Sequence, residues 1–159
     1  MSKSLRRVIA ALDAAGLSIA PLELGPETRT AQQAADAAGC HLDQIAKSVI
    51  FAGVESGEAV LFITAGGNQV DPAKASLCAG EALGKADAAL IRSQTGFAIG
   101  GVSPVGHLHP IRSFFDSRLL DFGVVYAAAG TPRHIFPISP ADLQRISASQ
   151  VSDFILQIK

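Results

Sequence analysis

Two apolar runs, Lys47-Ser48-Val49-Ile50-Phe51-Ala52 and Ala59-Val60-Leu61-Phe62-Ile63-Thr64, flank the short polar link Glu55-Ser56-Gly57-Glu58. Strand-forming residues on both sides of a glycine-bearing link read as a β-hairpin. The segments around this hairpin narrow the fold further. Leu5, Val8, Ile9 and Leu12 recur at helical spacing behind Ser2 or Ser4, with Gly16 placed to stop the helix. Thr30-Ala31-Gln32-Gln33 has the spacing of a capping box, and Ala31, Ala34, Ala35 and Ala38 share one face before Gly39. Asp71-Pro72, Asp87 and Ser139-Pro140 open three more helices, and Leu42 to Ile45 is a brief turn. Further strands are expected at Ser18–Leu24, Ile111–Phe115, Val124–Ala128 and Ile135–Ile138, with a short helical turn at Arg118–Asp121. Pro21 assigns the first of these to an edge. The order lacks the strict strand–helix alternation of a doubly wound sheet. It predicts an α+β domain spanning 1–159, with a mixed, largely antiparallel central sheet surrounded by short helices.

A chain of 159 residues is long enough to bury a continuous core without disulfides or a metal. No apolar run approaches bilayer length, and Met1 to Arg7 leads directly into a helical pattern without the apolar block of a secretory signal. The expectation is a soluble protein of the cytoplasm, with no membrane partner. Cys40 and Cys78 are far apart and read as small buried hydrophobes. A net charge of −1 argues against a protein that coats nucleic acid, DNA included, yet leaves room for a pocket that takes one nucleotide end.

The stretch Thr95-Gly96-Phe97-Ala98-Ile99-Gly100-Gly101-Val102-Ser103-Pro104-Val105-Gly106-His107 is the most suggestive of function. Glycine removes the Cβ that would hold a ligand away from the main chain, so successive amides can converge on a carbonyl or phosphate oxygen. Pro104 fixes one φ angle and restricts Ser103, which makes the loop stiff. The same glycines also satisfy an ordinary turn, and this stretch by itself does not separate the two uses.

Lys47 is the sharpest single candidate, a cation at the mouth of an apolar strand. It either snorkels to solvent or pairs with an anion. His107 and His109 share strand parity but lack a third ligand at a recognisable spacing, so no metal or other cofactor is expected. Gly101 to Val105 departs from a nucleophile elbow, because its second glycine falls too late. Thr28, Thr30, Asp71, Asp116, Ser139 and Asp142 suit helix caps or turns. His134, between a Thr-Pro turn and a strand, faces either solvent or a pocket.

Lys47 and the glycine loop, with Thr30-Ala31-Gln32-Gln33-Ala34-Ala35, Gln44 to Phe51, Gln69-Val70-Asp71-Pro72, Val125 to Gly130 and Ser139 to Leu143, resemble the YbaK/prolyl-tRNA-synthetase-associated family of editing domains. The match runs nearly the whole chain, and the order and spacing of its pieces are more specific than any one motif. The resemblance implies a YbaK-like fold and a free-standing deacylase that hydrolyses amino acids wrongly attached to tRNA, most often tRNA for proline. The amino acid is then small: alanine, 2-aminobutyrate or cysteine. It also implies that Lys47 lies in the active site and that the loop Gly100 to Pro104 holds the terminal adenosine and ester. On that basis Lys47, Gly100 and Gly101 are the expected catalytic residues. Thr30, Val102, Ser103, Pro104, Gly106, His107, Gly130 and His134 are the expected substrate-binding residues. The expected partner is the acceptor end of a mischarged tRNA, with prolyl-tRNA synthetase or an elongation factor assisting. Two other readings use the same residues. A binding module would hold the nucleotide or tRNA end without turnover, and a hydrolase built on His107 and His109 would lose activity in chelator.

Overall fold

The computed structural model describes residues 1–157. Its backbone is an eight-stranded mixed sheet with five short α-helices. Helix α1 (Lys3–Ala14) is capped by Ser2, whose hydroxyl accepts from the Leu5 amide at 3.1 Å, and it buries Leu5, Val8 and Leu12. Helix α2 (Ala31–Ala38) carries the full capping box between Thr30 and Gln33 and ends at Gly39 in the left-handed conformation. The hairpin is β2 (Ile45–Gly53) and β3 (Ala59–Ala65), paired antiparallel from Ala46↔Ala65 to Ala52↔Ala59. Every residue of β3 is buried. Leu61, Ile63 and Ala65 face the core under α1, while Val60 and Phe62 face a second cluster with Phe114 and Phe154. Fully burying each such side chain contributes roughly 1.5–3 kcal/mol.

Helices α3 (Pro72–Ala79) and α4 (Ala88–Thr95) start at the expected caps Asp71 and Asp87, and α5 (Pro140–Ile146) starts at Ser139. The remaining strands are β1 (Leu22–Glu23), β4 (Leu83–Lys85), β5 (Arg112–Phe115), β6 (Val125–Ala128), β7 (His134–Ile138) and β8 (Gln150–Val151). The sheet order is β1-β7-β6-β2-β3-β5-β8, with β4 added to β2. The pairs β1–β7, β6–β7, β2–β3 and β2–β4 are antiparallel, whereas β2–β6, β3–β5 and β5–β8 are parallel.

Three details differ from the sequence expectation. The strand expected at Ser18–Leu24 contracts to two residues, although it does occupy an edge. β4 and β8 were not anticipated. The two cysteines are half-buried free thiols rather than core residues: Cys40 follows the cap of α2, and the Cys78 sulfur lies 3.6 Å from the Asp153 carbonyl. No helix among the described residues is long and apolar enough to cross a membrane.

The two edges of β2 are paired differently. Its β3 edge is paired along nearly its full length, but its other edge is shared. β6 takes only Ile45 and Ala46, and β4 takes only Phe51 to Gly53. Lys47 to Ile50 therefore have no strand partner on that side, and Lys47 and Ser48 sit where β6 has just turned away.

Candidate active site

A cavity of about 420 Å³ opens at this split. β2 supplies Ala46, Lys47 and Ser48 to it, and the far end of β6 supplies Ala128. α2 and the loop before it form a second wall with Arg29, Thr30, Ala31 and Ala34. Leu24, Ile45 and Ile135, which pack with α2, close the apolar end. The glycine loop contributes Gly100 and Val102, and Thr131, Pro132 and His134 complete the rim.

Lys47 is half-buried, and its ammonium donates to the Asn68 carbonyl at 2.7 Å. Burial holds its pKa below the usual lysine range, while the carboxylates of Asp116 and Asp43 pull the other way. One protein acceptor leaves further N–H donors on the ammonium for a ligand. Opposite it stands the loop. Gly100 has φ +94°, in the left-handed region that favours glycine, and Gly101 runs so close to Thr131 that an added Cβ would lie 2.8 Å from backbone atoms. The Gly101 amide donates to the Ala98 carbonyl at 3.1 Å, so it is spent within the loop. Among the described residues, the amides of Gly100 and Val102 find no protein acceptor. Both residues line the cavity.

His134 is held by Thr131, with Oγ1 and Nδ1 2.6 Å apart. That hydroxyl already accepts from the Arg133 amide at 3.1 Å. The Thr30 oxygen caps α2 by accepting from Gln33, and its hydroxyl proton remains available.

Of the residues expected from sequence, the cavity thus gathers Lys47, Gly100, Val102, Thr30 and His134. Six do not line it. The backbone of Gly101 is turned inward, as described. Ser103 is fully buried and its Oγ accepts from the Val105 amide at 3.2 Å, so that hydroxyl serves the turn. Pro104, Gly106 and His107 line a separate groove on the opposite side of the loop. The His107 Nε2 is 2.7 Å from the Ser103 carbonyl, and burial depresses its pKa, with nearby Arg7 adding to the effect. Gly130 is buried beside α1, where a Cβ would meet the Ser4 carbonyl at 2.8 Å. Among the described residues, no three His, Cys, Asp or Glu side chains are grouped to hold a metal ion.

Sequence reasoning passed over Ser48, Arg29, Ala128 and Thr131, and assigned Thr28 only a turn role although it lines the cavity. The Ser48 hydroxyl is buried with no hydrogen-bond partner. The position of Ser48, one residue after Lys47 where β6 departs, depends on strand pairing that local sequence does not encode.

Residues 25–146 match the model of the aminoacyl-tRNA editing domain. The chain is 32% identical over 129 residues to the uncharacterized protein YwhH of Bacillus subtilis (strain 168), covering 81% of this chain and 82% of that one. A solved structure of a candidate trans-editing enzyme for prolyl-tRNA synthetase superposes with a TM-score of 0.92 at 42% identity, covering 99% of each chain. The hypothetical protein APE2540 superposes with a TM-score of 0.85 at 26% identity, over 94% of this chain and 99% of that one. The fold, the cavity and these matches together place the chain in the aminoacyl-tRNA editing domain family.

Proposed function

We propose that this protein is a trans-acting deacylase that hydrolyses the ester between a small amino acid and the 3′ end of a tRNA, tRNA for proline in the first instance. The observation that carries this reading is that a half-buried ammonium and two loop residues whose amides find no protein acceptor line one cavity. An aminoacyl ester is already activated. Its cleavage needs a water held against the carbonyl carbon and stabilisation of the oxyanion that develops, and it needs no covalent enzyme intermediate.

In this mechanism the Gly100 and Val102 amides receive the carbonyl oxygen, and Lys47 anchors the acceptor-end phosphate or the ester. Water adds to the carbonyl carbon, the bond to the ribose oxygen breaks, and that oxygen leaves with a proton. The imidazole of His134 and the hydroxyl of Thr30 orient the ribose or the amino group. The alanine face of α2, with Ile45 and Ile135, admits a short aliphatic side chain. Such a second pocket supplies discrimination that one synthetase pocket lacks, since a methylene is worth only about 1–3 kcal/mol. A near-neutral chain fits recognition confined to the acceptor end, with a synthetase or elongation factor delivering the tRNA.

The test is deacylation of tRNA for proline charged separately with alanine, 2-aminobutyrate, cysteine, serine and proline. One mischarged species is expected to be cleaved selectively, and Lys47→Ala to lower its kcat/KM by about 10²–10³-fold, the usual scale for removing one preorganised donor. Binding of tRNA without turnover of any species would instead identify a binding module.

A further inference from the structure

Asp116 is expected from sequence to be no more than a cap, and it does cap the 3-10 turn Ser117–Asp121 by accepting from the Arg118 amide at 2.9 Å. Its second oxygen does something a cap does not require. Oδ2 accepts from the Ala65 amide at 3.0 Å and from the Asn68 side-chain amide at 2.9 Å. The residue is only 2% exposed, and a buried carboxylate is costly unless its oxygens are satisfied. Here three N–H donors satisfy it, and two of them belong to the end of β3 and the turn that follows.

That turn is the one whose carbonyl receives Lys47. Asn68 lies just beyond β3, its amide donating to Ala65 at 2.9 Å and its carbonyl accepting from the Lys47 ammonium at 2.7 Å. The turn is fixed from the other side as well. The Gly67 amide donates to Asp43 Oδ1 at 2.8 Å, and Asp43 Oδ2 accepts from Arg118 Nε at 3.0 Å. Gly66 is pressed against Leu42 so closely that a Cβ would meet its carbonyl oxygen. Two carboxylates from separate elements thus clamp a four-residue turn whose one outward task is to present a carbonyl to Lys47.

We propose that Asp116 is a positioning residue for Lys47, acting through Asn68 to fix where the ammonium rests and supplying a buried negative charge to that side of the cavity. The importance of Lys47 to turnover rests on the deacylase reading, whereas the resting position of its ammonium does not. Asp116 and Asp43 face Lys47 as anions from one side. Arg118 is paired with Asp43, and Arg29 and His134 are the charged and titratable groups on the cavity walls. Burial and these two anions act on Lys47 in opposite directions, so removing one anion leaves burial less opposed.

The test compares wild type with Asp116→Asn and Asn68→Ala. Titration of the Lys47 side chain by 13C NMR in the tRNA-free protein is expected to shift to lower pH in Asp116→Asn and to stay in place in Asn68→Ala, which retains the charge. In the deacylation assay both variants are expected to lose about tenfold in kcat, more than they change KM, because the ammonium is misplaced. The alkaline limb of the rate profile should move to lower pH only in Asp116→Asn. If Asp116→Asn folds but leaves the Lys47 titration unchanged, the proposal fails even if the protein is a deacylase. If the NMR shift appears while wild type cleaves no charged tRNA, the positioning holds and the deacylase reading fails. Should Asp116→Asn not fold, Asp43→Asn provides the charge test, with the same shift expected and its absence overturning the electrostatic part.

Discussion

The two halves of the glycine-bearing loop are built from similar residues and border different surfaces. Gly100 and Val102 line the cavity, and their amides find no protein acceptor among the described residues. From Ser103 to His107 the loop is tied into the protein by other bonds: Ser103 Oγ accepts from Val105, the Ser103 carbonyl is met by His107, and the Gly106 carbonyl accepts from Arg7 Nε at 2.7 Å. The Arg7 guanidinium also lies 4.4 Å from the centre of the Phe97 ring. Glycine content alone therefore does not mark a site. What distinguishes the two halves is the surface each borders: Gly100 and Val102 share a cavity with Lys47, whereas Pro104 to His107 line a separate groove.

The comparison breaks if changes in the two halves have the same consequences. The largest effect is expected from Gly101→Ala. Its Cβ would lie 2.8 Å from the Thr131 backbone, so the loop must move off that wall and carry the Gly100 and Val102 amides with it. A displacement of this kind costs on the order of 10²-fold in kcat/KM, measured on mischarged tRNA. Arg7→Met acts on the second half. It leaves the Gly106 carbonyl without its donor and is expected to cost about 1–3 kcal/mol in urea unfolding, while kcat/KM of the folded protein changes by less than about threefold. If activity falls more than stability, the halves are not separable.

The smallest effect sharpens the comparison rather than testing it. The native pKa of His107 lies below its ordinary value of 6.5, with burial the main cause. The unfolded chain therefore takes up this proton first as pH falls. Stability contributed by neutral His107 is complete above about 6.5 and is lost progressively as pH drops toward the depressed native value. His107→Gln, which keeps an amide donor for the Ser103 carbonyl, should flatten the fall of Tm over that range. An unchanged Tm–pH slope would remove His107 from the account.

Much of this architecture is written locally. Thr30 and Gln33, Asp71-Pro72, Asp87 and Ser139-Pro140 each start a helix through bonds closed within a few residues, and such signals survive any tertiary context. β4 and β8 are legible only in three dimensions, since Leu83-Gly84-Lys85 and Gln150-Val151 are too short to show alternation and become strands by pairing with β2 and β5. The site divides the same way. Lys47 and Gly100 stand out in sequence by residue type. Ser48, Arg29 and Thr131 reach the cavity because β6 leaves β2 after Ala46, and Asp116 meets Asn68 across 48 positions of chain.

The shared edge of β2 has a consequence for how such a protein diversifies. Lys47, Gly100 and Val102 come from β2 and from the loop after α4, whereas the apolar end of the cavity comes from α2, Leu24 and the start of β7, with Ile45 of β2 beside them. Enlarging or shrinking Ala34 or Ile135 redraws the volume offered to a side chain without touching the ammonium or the donors. On the deacylase reading, most of the residues that would select the side chain are not those that would act on the ester, and a lineage can retune the former by point substitution while the latter are inherited intact.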